Sequence, residues 1–316
     1  EQAANGYRAV RVADDDGPAI EMSVAASELA MKRATVDPGD IELIAHASVG
    51  HQGLDHFAPA SYVQTKTVGG KGVALEIKQH SNGGLACLEL GAAYLTARSE
   101  RSAALLTTSD KFIPPAYDRY RSDRGILFGD GGTALVLSRR SGVAELLSTA
   151  VYSDGTYGAV YIGDEPWTDG TANGDKPIDL RARREQYLAN NAAMLLKVVK
   201  STTEMQRRSV QTALDDAGVT CDDITRWVFM NVGLTQVDVQ FRRTFRVDPA
   251  RTVWEWGREV GHIGAGDQYA GLAHLLESGQ VRSGDLVLMT GMGMGFSYGS
   301  AVVRILDEPG WPDSTS

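Results

Sequence analysis

Cysteine is scarce: the 316 residues hold two, Cys87 and Cys221, too few for a disulfide framework or a thiolate zinc cage, and this usage fits a reducing cytoplasm. Long apolar runs are missing too, and none approaches the roughly 18 residues that suggest a membrane helix. Basic charge is in deficit. The 31 Lys and Arg stand against 40 Asp and Glu, giving a formal charge of -9 and a pI near 5.2. Apart from short clusters such as LRARRE the cations are dispersed, so the electrostatic footprint of a nucleic-acid binder is absent. The opening, EQAANGYRAV, has neither an initiator methionine nor a signal-peptide pattern, and the expectation from it is a chain that lacks its own beginning.

Metal and nucleotide signatures are also wanting. His46, His51 and His56 recur at a spacing of five, whereas a helix needs three or four to bring ligands to one face, and Glu42 and Asp55 complete no ligand motif. No G-x-x-x-x-G-K-[ST] occurs, and GMGMG lacks the final spacing of a dinucleotide fingerprint. Gly295-Phe-Ser297-Tyr-Gly299 satisfies G-x-S-x-G, but the strand-like SAVVRI follows it and no histidine does, so it reads as a hairpin turn.

What is present is 43% hydrophobic sequence, enough for one large or two intertwined domains with a sizeable core. Helical patterns such as ELAMKRA and LACLELGAAYLTAR alternate with short aliphatic runs such as IELIAHAS, AALLTTS and TALVLSR. The second half repeats the alternation with VQTALDDAG, ITRWVFMNV, YAGLAHLLESG, DLVLMTG and SAVVRI, which argues for α/β layers. Sliding the chain on itself by 181 pairs Gly83 with Gly264, Ala92 with Ala273, Leu95 with Leu276, Arg101-Ser102 with Arg282-Ser283 and Leu105 with Leu286. Ordered matches in consecutive elements point to a duplicated fold.

The same offset sets His262 opposite Ser81. Each precedes a glycine-punctuated helix, where free N–H groups and the helix dipole favour developing negative charge. If the halves pack about a pseudo-twofold axis, the two helix starts meet at the centre. A serine hydroxyl needs a base and oxyanion donors to attack an acyl group, and GHIGAGDQ offers His262 as base with Asp267 to orient it. Plainer readings stay open: Ser81 as a helix cap and Asp267 as a first-turn acid. His80 adjoins the serine as a supporting or structural residue, and Cys87 reads as core.

SNGGLACLELGAAYL, FGDGGTALVLSR, GHIGAGDQ and GMGMGFSYGSAVVRI together resemble the thiolase-fold condensing enzymes, in particular β-ketoacyl-acyl-carrier-protein synthase III and its acyltransferase relatives in natural-product pathways. The resemblance implies a thiolase-like α/β fold of duplicated α-β-α-β-α layers, with 1–150 as the nucleophile half and 151–316 as a variable pocket segment plus the His/Asp half. Condensing synthases of this type use Cys, His and Asn. Here Ser81 takes the cysteine position, Asn231 falls near the usual histidine, and His262 at the usual asparagine. That pattern is similar to the acyl-transferring subgroup and implies a Ser81–His262–Asp267 triad. It further implies an oxyanion hole from the N–H groups of Ser81 and Met294, with Asn231 and His80 as supporting residues and Tyr161 to Leu180 as a variable wall.

The expected activity is ping-pong acyl transfer from coenzyme A or an acyl carrier protein, through an acyl-serine, to a small-molecule hydroxyl or a carrier thiol in secondary metabolism. The alternatives are a starter-unit ketosynthase III performing decarboxylative condensation with a malonyl-carrier protein, and a non-catalytic thiolase-fold subunit. No permanently bound cofactor, no metal, no nucleic acid and no membrane are expected, and the resemblance implies a homodimer. The net charge would repel an acidic carrier protein, so a local basic patch is needed, for which Arg181, Arg183 and Arg184 are candidates.

Overall fold

The computed structural model describes residues 3–14, 17–140, 142–167, 176–189, 193–309 and 311. The run IELIAHA forms β1 (Ile41–Ala47), buried on both faces as its unalternating apolar sequence requires of a strand in the middle of a parallel sheet. With β2 (Val73–Ile77), β3 (Ala103–Asp110) and β4 (Gly131–Ser138) it makes a sheet in the order β2-β1-β3-β4. A second sheet, ordered β5-β8-β7-β6, comprises β5 (Ala144–Ser153), β6 (Arg226–Val228), β7 (Leu286–Gly293) and β8 (Ser297–Ile305). Strand β5, which straddles position 150, belongs to the second sheet by its antiparallel pairing with β8.

The helices in chain order are α1 (Ala19–Ala34), α2 (Pro59–Lys66), α3 (Gly83–Thr96), α4 (Leu180–Ala189), α5 (Met194–Ala217), α6 (Leu234–Gln236), α7 (Arg243–Phe245), α8 (Trp254–Val260) and α9 (Asp267–Glu277). The sequence repeat is visible in their arrangement. β1 runs parallel to β3, which is antiparallel to β4; β6 runs parallel to β7, which is antiparallel to β8. Helix α3 precedes β3 as α9 precedes β7.

Helices α1 and α2 pack on the first sheet and α5 on the second, while α3 and α9 lie between the sheets, completing the α-β-α-β-α layers. The amphipathic spacing explains α5: Gln206, Ser209, Val210, Ala213 and Leu214 are its buried face, and Gly218 ends it in the left-handed conformation. The central helix α3 instead buries most of its circumference, as GGLACLEL predicts. Leu85, Leu88 and Leu106 share one core cluster with Leu272, Leu275 and Met289 of the other half. Each such side chain contributes about 1.5–3 kcal/mol by leaving water.

The contact between halves is close enough to demand glycine. A Cβ on Gly84 would lie 2.6 Å from the Ala265 carbonyl oxygen, and one on Gly83 3.2 Å from Cβ of Ala265 as well as 2.6 Å from Cβ of Ala47 in its own half. The Tyr269 hydroxyl donates to the Gly84 carbonyl at 2.7 Å, so α9 is tied to the first turn of α3. These approaches bring the N-terminal ends of the two central helices together.

Candidate active site

Ser81 sits where β2 hands over to α3. After Ile77 the chain turns through His80, at φ +47°, into a single 3-10 turn, His80–Asn82, and α3 begins at Gly83. The serine is half-buried and does not cap the helix: Asn82 holds the cap position, without a side-chain capping bond. The Ser81 hydroxyl instead lies 2.7 Å from Nε2 of His262. Across from it the β7–β8 turn approaches closely; a Cβ on Gly293 would lie 2.0 Å from the Gln79 carbonyl oxygen and 3.1 Å from the Asn82 nitrogen. Met294 follows directly, half-buried in the turn.

His262 is held by main chain and side chain alike. Its N–H donates to Leu127 O at 2.9 Å and its carbonyl accepts from Gly129 N at 2.9 Å, a bridge that seats the Phe128 ring 5.9 Å from the imidazole. Nδ1 lies 2.6 Å from Oδ2 of Asp267. That carboxylate opens α9 and also accepts from Ile263 N at 2.9 Å and Asn231 N at 2.8 Å. The network assigns the tautomer: with the Nδ1 proton given to Asp267, Nε2 presents its lone pair to the serine hydroxyl.

Burial opposes a charged imidazole at this position. The charge and hydrogen bond of Asp267, joined by the charges of Asp110 and Asp123, outweigh it and hold the His262 pKa above its ordinary value.

Asn231 meets Asp267 through its backbone, and its carbonyl in turn accepts the Tyr7 hydroxyl at 2.7 Å. Its side chain lies against α8, where a Cβ on Gly257 would come within 2.3 Å of Asn231 Oδ1. His80 is half-buried, and its pKa is lowered by burial and then by the Lys78 charge. Of the Tyr161 to Leu180 wall, residues 168–175 lie outside the described residues; Tyr161 packs edge-on against Phe296 beside the Met294 turn, with ring centroids 5.4 Å apart.

One expectation is corrected. The arginines of LRARRE do not form an open basic patch: Arg183 pairs with Glu165 and Arg184 with the buried Asp123, while Arg181 lies 3.8 Å from Asp179. The packing of α4 spends these charges internally. Cys87 is fully buried, Ser297 opens β8 after a hairpin turn, and among the described residues no three His, Cys, Asp or Glu side chains gather as a metal site. His46 is buried against Thr107 at 2.9 Å, whereas His51 is exposed beside Asp55. Among the described residues no helix is long and apolar enough to cross a membrane.

Sequence reasoning missed Asp110. It is fully buried at the end of β3 and accepts from Val49 N at 2.7 Å, Gly50 N at 2.8 Å and Ala265 N at 3.1 Å. The available signal was an acid closing the otherwise uncharged run AALLTTSD, a strand whose every residue is buried. The role of residues 127–129 in gripping His262 was missed as well, although FGDGG had stood out as a motif.

A hydroxyl, an imidazole and a carboxylate in series, at two helix starts and beside a close-packed glycine turn, can activate an oxygen nucleophile for attack on an acyl group. Comparison with known proteins agrees with chemistry on acyl groups. The sequence pattern of 3-oxoacyl-[acyl-carrier-protein] synthase III matches residues 75–155, and that of the synthase III C-terminal region matches residues 214–305. The β-ketoacyl-[acyl-carrier-protein] synthase III of Brucella anthropi is 24% identical over 95% of this chain and 88% of its own length, and that of Thermosynechococcus vestitus 26% over 96% and 88%. Among solved structures, the acyltransferase ChlB3 superposes with a TM-score of 0.89 at 32% identity, covering 98% of this chain and 90% of its own. Synthase III of Aquifex aeolicus superposes at 0.72 with 22% identity over 93% and 87% of the two chains, a likeness of fold. Shared sequence patterns in both halves, together with the ChlB3 likeness over nearly the whole chain, make this protein a member of the thiolase-fold β-ketoacyl-acyl-carrier-protein synthase III-like family.

Proposed function

We propose that the protein is an acyltransferase that carries its acyl group as an ester on Ser81. The observation that carries this reading is the unbroken series Ser81 Oγ to His262 Nε2 at 2.7 Å and His262 Nδ1 to Asp267 Oδ2 at 2.6 Å. In the first half-reaction Ser81 Oγ attacks the carbonyl carbon of an acyl thioester while His262 Nε2 takes the hydroxyl proton. The N–H groups of Ser81 and Met294 hold the oxyanion; the carbon–sulfur bond then breaks and His262 returns the proton to the leaving thiol. In the second, His262 takes the proton of an acceptor hydroxyl or carrier thiol, the acceptor attacks the ester, and Ser81 leaves with the proton. Asp267 keeps the imidazole in the required tautomer and offsets its transient charge.

The thioester donor is acyl coenzyme A or an acyl carrier protein, the latter supported by the names of the synthase III relatives. The acceptor is a small hydroxylated metabolite, such as a sugar or polyketide-like compound, or a carrier thiol. The ChlB3 likeness supports transfer. A homodimer is part of the proposal, supported by the exposure of Val73 and Leu75 on the edge strand β2; light scattering of the purified chain tests it.

A starter-unit synthase is the second reading, favoured by the names of those same relatives. It requires carbon dioxide to leave a malonyl-carrier protein and its enolate to attack the acyl-enzyme, so trapped carbon dioxide separates the two.

The test is intact mass after incubation with a panel of acyl-coenzyme A and acyl-carrier thioesters, with Ser81→Ala alongside. An acyl-sized increase that requires Ser81 supports the proposal. No increase with any donor of either kind overturns it in favour of a non-catalytic subunit.

A further inference from the structure

The segment after β1 and the Gly264–Gly266 turn belong to different halves, and the carboxylate of Asp110 joins them. Asp110 ends β3 fully buried. Its Oδ1 accepts from Val49 N at 2.7 Å and Gly50 N at 2.8 Å, in the segment that follows β1. Its Oδ2 accepts from Ala265 N at 3.1 Å, inside GHIGAGDQ. The fit leaves no slack: Gly264 adopts φ +73°, and a Cβ there would lie 2.0 Å from Oδ2 of Asp110. Three residues before Ala265 stands His262, and two after it Asp267.

We propose that Asp110 is a positioning residue, whose carboxylate fixes the Gly264–Gly266 turn against the first half and thereby sets His262 on Ser81. The inference rests on the acyl-serine reading for its effect on rate, and on geometry alone for the clamp. Only a carboxylate suits the place. Three N–H donors converge on two oxygens, and an amide offers one acceptor, so an asparagine can hold the Val49–Gly50 pair or Ala265 but not both. The neighbouring ties do not substitute for it. Gln52 fastens its own segment to Ser109, with Nε2 2.9 Å from the Ser109 carbonyl and Oε1 accepting the Ser109 hydroxyl at 2.7 Å, but it makes no bond to the histidine turn.

The charge also acts on the imidazole. Asp267 on α9, Asp110 on β3 and Asp123 in the segment before β4 all raise the His262 pKa against burial. Asp110 is itself raised to about 6, by burial before its backbone donors and Lys78 are counted against it.

The test is Asp110→Asn, with the rate of Ser81 acylation measured by rapid-quench mass spectrometry across pH. The expected result is a tenfold or greater fall in the maximal rate, the half-saturating donor concentration within twofold of the parent, and an acid limb displaced to lower pH. A folded variant with unchanged rate and unchanged acid limb overturns the proposal, as does a variant that loses only stability.

Hydrogen exchange in the unaltered protein provides a measurement that depends on neither variant folding nor activity. If the carboxylate holds the two turns as one cooperative unit, Val49, Gly50 and Ala265 are expected to exchange with a common opening free energy. Independent exchange of Ala265 overturns the clamp. If the parent protein takes up no acyl group, the acyl-serine reading fails while the exchange measurement still decides the clamp.

Discussion

Oδ2 of Asp267 accepts the backbone N–H of Asn231 at 2.8 Å while facing His262 Nδ1 at 2.6 Å. Asn231 thus serves the site through its main chain, and its buried side-chain nitrogen has no hydrogen-bond partner among the described residues. Replacing Asn231 by Ala is therefore expected to leave Ser81 acylation within about threefold of the parent, since the Asp267 contact survives and no satisfied bond is lost. Asp267→Ala, by contrast, removes the group that fixes the tautomer and is expected to cost about 10^4-fold. Single-turnover acylation of both variants checks this. A loss in Asn231→Ala comparable to that of Asp267→Ala would mean that the amide touches the substrate, as the condensation reading requires.

The repeat made much of the fold legible. An offset that aligned Gly83 with Gly264 also aligned the strands that follow each helix, because the same helix-to-strand unit is built twice, each behind a close-packed glycine: Gly83 against Ala47 and Gly264 against Asp110. Ser81, His262 and Asp267 were legible for a related reason: each stands beside glycines that interrupt an apolar pattern. Asp110 was hidden because its partners are backbone N–H groups, which leave no side-chain signature. The LRARRE arginines misled for the converse reason. Charge clusters show in sequence, but Glu165 and Asp123, the acids that neutralise Arg183 and Arg184, come from 18 and 61 residues away.

Tyr269 joins the halves through its 2.7 Å bond to the Gly84 carbonyl. Tyr269→Phe keeps the ring packing and removes that one bond, so unfolding in urea is expected to cost about 1 kcal/mol less, with a fall in Tm of about 2–4 °C. An unchanged midpoint would show that the Gly84 carbonyl is fully served within α3. The acyl-transfer rate should fall as well, because α9 carries Asp267 at its first residue.

In the proposed mechanism the intermediate is an oxygen ester on Ser81, and the ester oxygen sets its lifetime. Ser81→Cys places a more nucleophilic atom beside His262, so acylation is expected to persist, and the adduct changes from an oxygen ester to a thioester. Neutral hydroxylamine should then strip the acyl group from the Cys variant within minutes while leaving the parent adduct largely intact. An adduct on the parent that is equally labile would place the acyl group on a thiol, and Cys87 is too buried to be that thiol.

The pH dependence follows from the surroundings of His262. Burial is the largest single influence and lowers its pKa, but Asp267, Asp110 and Asp123 together exceed it, so the net shift is upward from the ordinary 6.5. A base must be neutral to take the serine proton. As pH rises through the raised pKa the neutral fraction grows, and the acid limb of the acylation rate is expected above pH 6.5. The same shift means that the charged imidazole's contribution to stability is fullest below the unfolded pKa, near 6.5, and is lost as pH rises through the folded one. Asp267→Asn removes the largest upward influence and leaves burial in place, so its acid limb should move down even though its plateau rate is lower. A limb that stays where it is would mean that another group takes the serine proton, and the 2.7 Å contact between Ser81 and His262 would then have to be read as structural.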